Sequence, residues 1–130
     1  MPADGARPFQ ICGACRGAWH NADDFVRDPS LRLLGLQFEP ALPEINLLVF
    51  EHACGSSISI LSKRLAHLLP PPPSGPLPNL RGTEQCRGHC RRLEDLDACD
   101  APCVNARDRE LTRLVKRWND EARKTAAESR

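Results

Sequence analysis

Cysteine carries most of the chemistry available to this sequence, and its spacing says which chemistry. Cys12-Gly13-Ala14-Cys15 separates two thiols by two residues, the interval at which a tight turn aims both sulfurs at the single point a tetrahedral zinc ion occupies. Gly13 inside the turn and Gly17 just after it offer the backbone freedom such a turn uses. His52 and Cys54 stand at i and i+2. At the end of a strand those positions project from one face, and Gly55 lets the chain turn away afterwards. Cys12, Cys15, His52 and Cys54 thus form one candidate set of donors, joining the N-terminal leader to the middle of a sheet. His20, five residues past Cys15, competes with His52 for the fourth position.

The remaining cysteines form a second set. Cys86 and Cys90 are four apart, as are Cys99 and Cys103, and on helices that spacing puts each pair of thiols on one face about a turn apart. A chain reversal near 97–102 would bring the two faces together. Cys103, in the first turn of the last helix, would gain from the positive end of the helix dipole, which favours the thiolate a metal requires. The same spacing fits a disulfide-linked hairpin, Cys86 with Cys103 and Cys90 with Cys99. An iron–sulfur cluster also takes four cysteines, although its common binding runs place two residues between ligands rather than three.

Arithmetic favours two metal sites. Seven cysteines and one histidine make eight donors, two sets of four with no thiol left over, whereas a disulfide framework would strand one. The expected cofactor is zinc, two ions. Closed four-donor sites are structural, because a catalytic zinc keeps a position open for water or substrate.

The Cys12–Cys15 turn resembles the knuckle of zinc-ribbon and rubredoxin-like proteins. The wider order of Cys-x-x-Cys, Phe50-x-His52-x-Cys54-Gly55-Ser56-Ser57, Cys86-x-Gly88-x-Cys90 and Cys99-x-x-x-Cys103 resembles that of an uncharacterised family of small cysteine-rich bacterial proteins, from Cys12 to Cys103. This resemblance implies a stable fold unit and brings no activity with it.

Few elements are needed to position these donors. Residues 1–30 read as a leader, the turn and a polar loop. Short apolar runs at 31–38 and 45–52, bounded by Pro40, Pro43 and Gly55, predict two strands connected through 40–44. Ser56 to Ile60 continues extended, and Leu61, Leu65, Leu68 and Leu69 predict a short helix that must stop at Pro70. Residues 70–80 then form a proline-rich linker. Thr83 can cap a cysteine-bearing helix from Glu84, with Leu93 and Leu96 on its buried side. Asp100 and Pro102 mark the start of the last helix, which carries Leu111, Leu114, Val115, Trp118 and Ala122 in one stripe. Trp118 is expected to be largely buried, and the tail beyond Glu121 to fray. The predicted class is α+β. A zinc-knuckle-like part with a short antiparallel sheet and helix spans 1–69, and the linker leads to a four-cysteine helical hairpin over 81–130, all in one fold unit.

Composition narrows the function. Eighteen basic against seventeen acidic side chains give no field that marks a polyanion binder, and with no Tyr, two Trp and four Phe there is little to stack on bases. The N-terminal stretch has no apolar core of a signal peptide, and the longest apolar run is far too short for a membrane span. A cytoplasmic protein with reduced thiols is therefore expected. No Gly-rich phosphate loop, Gly-x-Ser-x-Gly elbow or His-Glu-x-x-His helix is present. The sequence favours a non-enzymatic interaction or regulatory module with a protein partner. A thiol-based redox or metal sensor is the alternative, followed by an enzyme with an open three-cysteine site and His52 or Glu51 as acid or base.

Overall fold

The computed structural model describes residues 7–39, 42–73, 75–81, 83–88 and 97–129. The leader is more regular than its polar composition suggests. Strands β1 (Gln10–Ile11) and β2 (Ala18–Trp19) pair antiparallel around the Cys-x-x-Cys turn. Helix α1 (Ala22–Val26) follows at once, its N-cap Asn21 accepting the Asp24 N–H at 2.8 Å. Arg64 ties this hairpin to the rest of the molecule, donating to the Phe9 carbonyl and stacking over the Phe9 ring at 4.3 Å.

Three apolar runs form an antiparallel sheet in the order β3 (Leu31–Gln37), β4 (Leu47–His52), β5 (Ser57–Leu61). Alternation places Leu48 and Phe50 of β4 and Ile58 and Ile60 of β5 in the core. On β3 the pairing shifts between Leu33 and Gly35, which lets Leu33 and Leu36 both be buried although their spacing is odd. Aromatic edges link hairpin to sheet: Trp19 on Phe25 at 5.0 Å, and Phe25 on Phe50 at 4.9 Å.

The helix expected after β5 forms instead as two 3₁₀ turns, Ser62–Arg64 and Ala66–Leu68. Ser62 is held at their start by the Asn46 carbonyl at 2.8 Å, and Pro70 closes the run before an α-helical turn can extend. The second cysteine segment also departs from expectation. Residues 83–88 form turns, with Thr83 donating to the Leu80 carbonyl at 2.6 Å, and Gly88 lies at φ 81°, which a right-handed helix cannot accommodate. No helix starts at Glu84. Cys90, Leu93 and Leu96 lie outside the described residues.

The long helix α2 (Val104–Glu128) has Cys103 as its N-cap residue, while Asp100 pairs with Arg87 at 2.9 Å rather than capping. Leu111 and Val115 enter the same core as the sheet. Trp118 is only partly buried, with the Arg27 guanidinium 4.5 Å above its ring. The helix does not fray after Glu121, because Arg123 donates to the Pro29 carbonyl at 3.0 Å and anchors that turn. Both ends of the proline-rich stretch are bonded to α2, Pro70 O to Arg107 at 2.6 Å and Pro78 O to the Val104 N–H at 2.8 Å. Among the described residues no helix is long and apolar enough to cross a membrane.

Candidate metal centre

The β1–β2 hairpin places Cys12 at the exit of β1. The Cys12 N–H bonds to the Gly17 carbonyl at 2.7 Å, and the Arg16 N–H returns to the Cys12 carbonyl at 2.9 Å. The residue in the left-handed region is Arg16, at φ 66°, whereas Gly13 and Gly17 have ordinary backbone angles. Gly17 matters in another way: its N–H points at the Cys15 sulfur, 3.4 Å distant.

The other half is the β4–β5 turn. His52 ends β4 and faces the core, its ring edge-on to Trp19 at 5.3 Å. Its backbone N–H bonds to the Ser56 carbonyl at 2.8 Å, and Gly55 at φ 96° turns the chain back, with the Cys54 sulfur beside His52 Nδ1.

These two turns bring Cys12, Cys15, His52 and Cys54 together, with one donor atom of each within 4.8 Å of all the others. Cys12 Sγ lies 3.7 Å from Cys54 Sγ, Cys15 Sγ 3.7 Å from His52 Nδ1, and His52 Nδ1 3.1 Å from Cys54 Sγ. Zn–S bonds of about 2.3 Å at tetrahedral angles require sulfurs ~3.8 Å apart. The Cys12–Cys54 edge matches that spacing, and the Cys3His donor set suits a thiophilic ion. His20 is exposed and outside the group. Glu51 points to the opposite face, where it pairs with Arg32 at 3.1 Å.

Ser56 is part of the centre although its type and spacing give no ligand signal. Its hydroxyl sits 3.3 Å from Cys12 Sγ and 3.1 Å from Cys54 Sγ, bridging a sulfur from each half. That hydroxyl is the main reason the Cys12 thiol is lowered to about 5, with help from the Cys15 and Ala14 backbone. Ser56 also lowers Cys54, through both its hydroxyl and its N–H. For Cys15 the Gly17 N–H pulls down, but burial and the neighbouring sulfurs outweigh it and raise the thiol. His52 is raised because contacts with the Cys54 and Cys12 sulfurs outweigh its burial. The lowered Cys12 and Cys54 thiols favour the thiolates a metal ion requires, whereas His52 has to give up its proton to serve as a ligand.

The second set of cysteines is not gathered in this way. Among the described residues the Cys12 group is the one group of three or more donors close enough to share an ion. Cys86, Cys99 and Cys103 border a single small cavity, and Cys90 lies outside the described residues.

No known family, curated protein or solved structure matches this chain. The likeness to a zinc knuckle therefore stands on the Cys3His group itself, and the wider family resemblance gains no support.

Proposed function

We propose that this chain is a small zinc-binding protein in which the ion at Cys12, Cys15, His52 and Cys54 is structural, and that it acts as a non-enzymatic interaction or regulatory module. The observation that carries the reading is the convergence of four donors from turns about forty residues apart, all within 4.8 Å of one another. The chain's residues supply every donor, so the ion would hold charge and geometry and leave no position for substrate. Glu51, turned away and engaged by Arg32, supports this over an open enzyme site. A second zinc ion at Cys86, Cys90, Cys99 and Cys103, expected from the count of eight donors, gains no support from the described residues.

Metal analysis of protein purified without added metal tests the reading. Cys12→Ser and Cys54→Ser should each lose about one zinc equivalent and destabilise residues 10–60, since structural zinc contributes directly to folding. His52→Ala should follow them, and His20→Ala should not. Full metal content in the cysteine variants would sink the site.

A redox sensor is the second reading, favoured by one observation: Cys54 is exposed and its sulfur lies 3.7 Å from that of buried Cys12. Zinc released by dilute peroxide and regained on reduction would favour the sensor over the module.

A further inference from the structure

The hairpin that supplies Cys12 and Cys15 contacts His52 twice. Cys15 Sγ lies 3.7 Å from His52 Nδ1, and Trp19, on β2 of the same hairpin, sets its ring edge-on to the imidazole, with 5.3 Å between centroids and 76° between planes. The imidazole thus meets a ligand sulfur at Nδ1 and an indole at its ring.

Trp19 is itself held. Its indole N–H donates to Asp28 Oδ2 at 2.6 Å, while Asp28 Oδ1 accepts the Ser30 N–H at 2.8 Å. The Asp28 backbone is fixed as well, its N–H donating to the Phe25 carbonyl at 3.2 Å and its carbonyl accepting the Leu31 N–H at 3.0 Å. Burial pushes the Asp28 carboxyl up, but hydrogen bonds from Ser30 and Trp19 outweigh it and hold the group below its ordinary value. A charged acceptor at this distance makes the Trp19 bond a strong one. A buried indole N–H needs an acceptor in any case. Tied to a carboxylate bonded at both oxygens, this ring keeps one orientation.

A histidine ligand has to present one nitrogen along the metal bond, and the partners around the ring decide which nitrogen that is. Here the sulfurs of Cys15 and Cys54, at 3.7 and 3.1 Å, lie beside Nδ1. Building on the metal-binding reading above, we propose that Trp19 and Asp28 are positioning residues of the Cys3His centre: Asp28 orients Trp19, and Trp19 holds the His52 ring with Nδ1 toward the ion. Two residues from outside the donor set then fix the one donor that is not a sulfur.

Cobalt(II) binding to the full chain is the test, read as affinity by chelator competition and as the visible ligand-field bands of the loaded protein. Trp19→Phe keeps an aromatic edge and loses the N–H, and Asp28→Asn keeps the shape but offers one oxygen to two donors. Each should weaken cobalt binding about tenfold or more and shift or broaden the bands. Because the two act in series, their effects should not add, and the double variant should bind as the weaker single variant does. Lower urea midpoints with unmoved bands and affinity mean packing alone and overturn the proposal, as does full additivity. If Trp19→Phe fails to fold, Asp28→Asn, altered at a half-buried carboxylate, decides the question by the same readouts. No cobalt uptake by the wild type removes the Cys3His centre itself, whereas unchanged uptake and bands in both variants remove only the outer shell.

Discussion

A single hydroxyl, that of Ser56, touches a sulfur from each half of the metal centre and is the largest cause of the lowered Cys12 thiol. Because the folded value, about 5, lies below the ordinary 9.0, the stabilisation is fully present above pH 9 and is lost as pH falls through 5. Protons and metal compete for the same sulfur. Ser56→Ala should therefore release zinc at a higher pH than the wild type, read as free zinc during an acid titration, and an unchanged midpoint would remove Ser56 from the centre. The cysteines and His52 are legible in sequence because ligand spacing is local. Ser56 is not, since a serine two residues after a cysteine reads as ordinary turn chemistry until the fold aims it at Cys12.

Among the elements, the turn between β4 and β5 depends on one backbone angle. Gly55 at φ 96° has nothing within 4 Å of a built Cβ, so a methyl group there meets strain rather than a clash. Gly55→Ala should cost about 1–2 kcal/mol in urea denaturation, and Gly13→Ala, at an ordinary angle with open space around it, should stay within about 0.5 kcal/mol. Equal costs at the two positions would refute this assignment. The sequence suggests the opposite emphasis in the knuckle, where glycines flag freedom but Arg16 takes the left-handed angle. The strands at 31–37 and 47–52 are legible from their apolar runs. The 3₁₀ turns at 62–68 are not, because leucines at helical spacing cannot show that Ser62 is already bonded elsewhere.

For the molecule as a whole, one buried amide joins the last helix to the sheet. Asn119 Oδ1 accepts the Leu33 N–H at 3.1 Å, and its Nδ2 donates to the Leu31 carbonyl at 2.9 Å. Asn119→Ala would leave both backbone groups buried without this partner, costing about 2–4 kcal/mol. The expected readout is a lower denaturation midpoint with zinc content retained, and unaltered stability would refute the clamp. The apolar stripe of α2 is legible through Leu111 and Val115. Asn119 is fully buried on a helix whose composition reads as solvated, and no periodicity reveals a polar side chain that satisfies another segment's backbone.

Order along the chain gives the Cys3His centre a role in time. All its donors, and Ser56, precede residue 57, whereas the helix that covers the sheet begins at Val104. During synthesis the nascent chain therefore owns a complete ligand set while residues 57–130, more than half of the sequence, have yet to be made. An ion captured then would hold the two turns in register, and keep a sheet with an uncovered face from pairing with neighbours, until α2 arrives to seal it.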